Sequence, residues 1–216
     1  MINSLKIFFL SLLLLSCTNN NRNKLTATKT FETEIPIYKQ GLSKGDTSYS
    51  FLGKRKREIE LDLESIENGF DSLQIRIWLG HSLALTKNVV ILKLKDGVWT
   101  GQLLTYTIGH NDSTGKSYIA SKELKNIESK MSLAKITTSI KDFQILTLPN
   151  CEEIRGYDAC GGHDGITYSF EVSTKTKYRF YYYCNPDYLA ERFWQAKNVI
   201  LFASILEKEL GFEYMK

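Results

Sequence analysis

VVILKLK (residues 89–95), DG (96–97) and VWTGQLLTY (98–106) form the stretch that decides the fold. Apolar and polar residues follow a period of two through both arms, the signature of strands with two unlike faces. Asp96-Gly97 tolerates the positive φ that a two-residue hairpin turn demands at both central positions. The turn sets Leu94 opposite Trp99, Leu92 opposite Gly101 and Val90 opposite Leu103. A glycine facing a large side chain marks a bulge or a close packing contact.

The same alternation recurs outward from this hairpin. Downstream, Ile166–Ser173 and Tyr178–Cys184 flank 174–177, and the register predicted for them pairs Phe170 with Phe180, Tyr168 with Tyr182 and Glu171 with Arg179. Upstream, Glu58–Leu63 and Leu73–Leu79 lie either side of Asn68-Gly69. Pairing Leu63 with Leu73, Leu61 with Ile75 and Ile59 with Ile77 keeps apolar opposite apolar and sets Glu60 against Arg76. Tyr118–Ile127 reads as a further strand, and GHNDSTGKS (109–117) as the loop before it. That loop lacks the first glycine of a phosphate-binding loop, and it joins strands rather than a strand to a helix.

Two helices are predicted. Leu133, Ile136, Ile140 and Phe143 trace one helical stripe, with Ser132 as N-cap. A longer helix opens at Asn185-Pro186, carries the stripe Leu189, Phe193, Ala196, Ile200, Ala203, Leu206 and Leu210, and closes at Gly211 with Phe212 folding back. Hairpins first and helices late predict an α+β fold: an antiparallel sheet of six to eight strands, Trp99 and its hairpin near the centre. The C-terminal amphipathic helix packs on one face, and a second, short helix accompanies it.

The 216 residues, 43% hydrophobic and 24% charged, suit one globular domain. The net charge of +4 is spread along the chain and points to no nucleic acid. The one basic run, Lys54–Arg57, is followed by Glu58, Glu60, Asp62 and Glu64. It reads as the solvated start of a strand, with a polyanion or lipid-headgroup patch as the alternative.

At the N-terminus, Lys6 precedes an apolar run from Ile7 to Leu15, too short to span a bilayer and matching a signal-peptide core. It ends in Leu14-Leu15-Ser16-Cys17, which resembles a bacterial lipobox. The resemblance implies cleavage before Cys17, a thioether-linked diacylglyceryl group and an acyl chain, such as palmitate, on the new amine; several chains hold a membrane stably where one does not. Thr18 is not the aspartate of inner-membrane retention. The expected address is therefore the outer membrane, facing the periplasm. Residues 1–16 are read as signal peptide, 17–29 as lipidated cysteine and polar tether, and 30–216 as a single domain. The chain is similar to the small lipoproteins of Gram-negative envelopes.

The most unusual segment is NCEEIRGYDACGGHDG (150–165). An exported chain meets an oxidising compartment, and Cys151, Cys160 and Cys184 allow three pairings of which Cys160–Cys184 is favoured. Cys160, His163 and Asp164 have the types for a metal site or a thiol nucleophile, but too few ligands exist for a closed zinc centre and no catalytic signature surrounds them. No metal and no cofactor are expected. Arg76, Trp78, Arg179, Tyr181 and Tyr183 have the composition of a recognition surface if they share the polar sheet face. The first reading is a non-catalytic binding module of the envelope whose partners are the membrane, through its lipid, and an envelope protein or ligand. Alternatives are an immunity or inhibitor protein against a toxin or hydrolase, and a thiol-dependent enzyme using the Cys160–Asp164 loop.

Overall fold

The computed structural model describes residues 49–158 and 165–212. The signal peptide, Cys17, the tether and the Cys160–Asp164 segment lie outside the described residues. The order is α1 (Tyr49–Glu60), β1 (Leu73–His81), β2 (Thr86–Lys95), β3 (Val98–Asn111), β4 (Lys116–Asn126), α2 (Lys130–Asp142), a 3-10 turn (Cys151–Glu153), β5 (Ile166–Thr174), β6 (Tyr178–Cys184), α3 (Pro186–Leu189) and α4 (Trp194–Leu210). Six strands form one antiparallel sheet in the order β4-β3-β2-β1-β5-β6. The α+β class is as predicted. No helix among the described residues is long and apolar enough to cross a membrane.

The β2–β3 hairpin has the predicted register. Asp96 and Gly97 take φ of 50° and 74°, as the turn requires. Gly101 marks close packing rather than a bulge: a Cβ there would lie 2.7 Å from Ile127 Cδ1 and 3.1 Å from Leu133 Cδ1. The missing side chain lets the β4–α2 connection settle on β3. The bulge is elsewhere, between Thr107 and Ile108 opposite β4.

Three expectations are corrected. Glu58–Leu63 is not a strand: residues to Glu60 are helical, and β1 pairs instead with β2 and β5. Alternating charge imitated a strand period, but Phe51, Lys54, Glu58 and Leu61 are the buried stripe, spaced three, four and three apart. Ile59, placed in the core by the strand reading, is 78% exposed. Ion pairs Lys54–Glu58, Lys56–Glu60 and Arg57–Glu60 bridge successive turns of this helix.

The second correction is the β5–β6 register. Phe170 faces Tyr181, Tyr168 faces Tyr183, Glu171 faces Phe180 and Val172 faces Arg179. Thr174 N–H donates to Lys177 O (2.8 Å), so the turn between them holds two residues, Lys175 and Thr176. This slides the return strand by one and moves each of its side chains to the other face. Third, the C-terminal helix is broken. α3 ends at Leu189, whose carbonyl accepts from both Arg192 and Phe193, and α4 starts afresh at Trp194. Asn185 does not cap: it is left-handed (φ 47°), and its Oδ1 accepts from Ile166 N–H on β5. Likewise Ser129, not Ser132, caps α2, accepting from Ser132 N–H. Gly211 ends α4 in the predicted left-handed conformation.

Two layers cover the sheet. On one face α2 and α4 bury Ile136, Ile140, Ala196, Val199, Phe202 and Leu206 against Ile75, Ile77, Leu92 and Phe170. On the other, α1 lies across the strands: Phe51 meets the Phe180 ring at 5.3 Å on β6, and the Arg57 guanidinium lies over Tyr106 on β3. Trp78, Val89, Ile91, Leu104 and Tyr106 pack with Leu61 just past the helix.

Candidate functional site

The five residues expected to form one recognition surface do not. Arg76, Trp78, Arg179, Tyr181 and Tyr183 are all buried, at 8% exposure or less. The register places Arg76 and Trp78 under α1, while Arg179, Tyr181 and Tyr183 point to the opposite side. The latter three hold the 145–149 segment against β6. Arg179 donates to Leu146 O (2.8 Å) and Leu148 O, Tyr181 to Ile145 O, and Tyr183 to Pro149 O (2.6 Å).

What lies beneath α1 is an ion cluster that sequence reading missed. Lys54 Nζ is 3.1 Å from each of Glu58, Glu67 and Glu171, and Arg76 Nη1 is 2.7 Å from Glu58 Oε1. Arg55 closes on Glu67. Trp78 Nε1 and Tyr178 Oη donate to the two oxygens of Glu171 at 2.7 and 2.9 Å. Three cations thus meet three carboxylates, drawn from α1, the loop after it, β1 and β5. Buried charges persist only when paired and hydrogen-bonded. Burial, then the Glu171 charge, pushes the Glu58 carboxyl up to about 7. Burial also raises Glu67, but the Arg55 hydrogen bond and the Lys54 charge outweigh it and hold Glu67 below its ordinary value. Burial and then Glu171 drive the Tyr178 hydroxyl far above its usual range. The predicted solvated basic run is therefore half inside: Lys54 is 6% exposed. The cluster fastens α1 to the sheet and touches neither of the two clefts described below.

Cys184 is a free thiol, which overturns the Cys160–Cys184 pairing. The register slip sets it opposite Thr167, which hydrogen-bonds it, and burial pushes the thiol up. Cys151 is fully buried and disulfide-bonded, with its partner outside the described residues. Among the described residues no three His, Cys, Asp or Glu side chains gather as a metal site.

One open edge and two clefts stand out among the described residues. β6, the other edge, is roofed: its strand is largely buried, and Tyr182 N–H donates outward to Asn150 Oδ1. Along β4 every residue but Ile119 is exposed, and no hydrogen bond among the described residues reaches its outer side. Where β4 ends, Ile127 N–H donates to Gly101 O. There a cleft of about 470 Å³ opens, lined by Lys93, Trp99, Gln102, Asn126, Glu128 and Lys130 among others. A second, of about 490 Å³, lies between α2 and α4 around Met131, Lys135, Ile205 and Glu209. Trp99, expected near the sheet centre, is half-buried in the first cleft. No family model matches the chain, and no curated protein matches it.

Proposed function

We propose that this chain is a non-catalytic binding module of the cell envelope, held at a membrane by lipid on Cys17, and that β4 with the Trp99 cleft is its contact surface. One observation carries the reading: the sheet closes one edge with a dedicated segment and, among the described residues, leaves the other open over eleven residues. An open edge is a ready template for a strand of another chain, and the lysines of β4 limit which strand it accepts. Glu58, Glu67 and Tyr178, whose ionisation is shifted, are by contrast committed to fastening α1. If the partner is a toxin or hydrolase, the module acts as an immunity or inhibitor protein.

The test is photo-crosslinking in cells producing the lipidated chain, with the crosslinking residue placed at Ser121 on β4 or at Tyr188 on α3, and a Cys17→Ala control. The expected result is a discrete adduct from Ser121, absent from Tyr188 and diminished by Cys17→Ala. Adducts that form equally from both positions, or none from Ser121, overturn it.

A further inference from the structure

On that reading, we infer that the occupant of the β4 edge is an extended acidic segment of another polypeptide, added over Ser121–Asn126 as a seventh strand. Over these residues β4 keeps regular register with Thr107–Gln102; the bulge interrupts it beyond Ser121. Six residues span about 20 Å, a common strand length. Strand addition takes affinity from main-chain hydrogen bonds and specificity from alternate side chains.

Charge selects the occupant. β4 carries Lys116, Lys122 and Lys125 against Glu123, a net +2 (three minus one). Lys93 and Lys130 at the cleft extend the positive strip past the strand end, opposed by Glu128. A second copy added here brings +2 against +2, which cross-strand pairing disfavours. An acidic strand meets the opposite balance. Lys122 and Lys125 already touch Asp62 and Glu123, but the two pairs are exposed and cost little to exchange.

The geometry also predicts a pattern. Lys122 and Leu124 point to the α1 side of the sheet, Glu123 and Lys125 to the other, and Leu124 is 52% exposed. An antiparallel partner read from its N-terminus then presents an acid opposite Lys125, an apolar residue opposite Leu124, a neutral residue opposite Glu123 and an acid opposite Lys122. Continuing back towards its own N-terminus, it passes Asn126 towards the cleft beside Lys93 and Lys130.

The probe is the capped peptide Thr-Glu-Val-Thr-Glu-Val, with Thr-Lys-Val-Thr-Lys-Val as its reverse, titrated into the full chain and followed by amide NMR shifts and hydrogen exchange. The acidic peptide is expected to shift and protect amides of β4 and β3, to weaken as salt rises, and to bind at least about tenfold more tightly than the basic one. Lys122→Glu with Lys125→Glu, both on an exposed strand, is expected to reverse that preference. Equal binding of the two peptides, protection elsewhere than β4, or β4 protection that appears with protein concentration alone (a second copy) each overturns the proposal. A Ser121 crosslink in cells alongside failed peptide binding leaves the binding module standing and refutes strand addition; loss of the crosslink refutes the module itself.

Discussion

Replacing Arg76 with methionine tests whether the cluster under α1 acts as a unit. Arg76 donates 2.7 Å to Glu58 Oε1 and also to Glu64 O, with both charged side chains at 4% exposure or less. Methionine fills much of the space but leaves Glu58 to Lys54 alone, with Glu171 close by. Breaking a buried pair on one side costs about 3–5 kcal/mol. Against that, Arg76 Nε is buried without a hydrogen-bond partner, and removing it returns about 1–2 kcal/mol. The net expectation is a loss of about 2–3 kcal/mol, read as a shift of the urea midpoint at pH 9, above the Glu58 value, with the slope unchanged. Glu58→Gln in the same chain removes the stranded charge. The double variant is expected to be more stable than the sum of the single losses by at least about 1 kcal/mol. A loss under about 1 kcal/mol for Arg76→Met, or additivity within about 0.5 kcal/mol, refutes the coupled cluster.

Further outcomes follow from the same contacts. The folded value of about 7 for Glu58 lies above its ordinary 4.5, so the folded chain keeps a proton that the unfolded chain releases. That contribution is fully present below pH 4.5 and is lost as pH rises towards 7; Glu58→Gln should flatten this part of a stability-versus-pH curve. Glu67, held below its ordinary value, contributes with the opposite sign above that value and loses it on further acidification. Gly101→Val should cost about 1–3 kcal/mol in thermal or urea unfolding, because its side chain enters the space of Ile127 and Leu133. Arg179→Lys cannot span Leu146 O and Leu148 O as a fork does, so hydrogen exchange at Tyr182 N–H should quicken while β3 amides stay unchanged. The half-buried Cys184 thiol, pushed up by burial, should alkylate slowly in the folded chain and promptly in urea.

Features written locally were legible, and those set by distant partners were not. The Asp96-Gly97 hairpin, the Leu133–Phe143 stripe and the Gly211 stop each depend on residues within a few positions, and each stands as read. The α1 segment misled because Glu58, Glu60 and Asp62 alternate like a strand, while its true period includes Lys54 and Glu58, residues a hydrophobic stripe excludes. The Arg76–Glu171 cross-strand pair, 95 residues apart in sequence, joins Glu67 in supplying the polar surface that such a helix face needs. The β5–β6 slip had a smaller cause, a two-residue turn where four residues had been left out of the pairing. It sufficed to part Arg179 from Glu171 and to send Tyr181 and Tyr183 to the far side.

Placing the ions under α1 has a consequence for the open edge. α1 starts over β6 and its chain ends over β3 and β4, where Lys122 donates to Leu61 O just past the helix. Phe51 and Leu61 bury little of its length, and Leu52 and Ile59 face solvent. Apolar packing alone would leave the direction of the helix poorly determined, whereas paired charges tolerate one arrangement, because every misplacement strands a buried ion. The same fixed direction carries the turn at Asp62 to β4, so the cluster determines what stands beside the edge. Loosening α1 by Arg76→Met should therefore raise hydrogen exchange along Lys122–Asn126, although no contact of Arg76 reaches that strand. Unchanged exchange there, with α1 amides quickened, would mean that the edge is rigid on β3 alone and that the cluster serves only the helix.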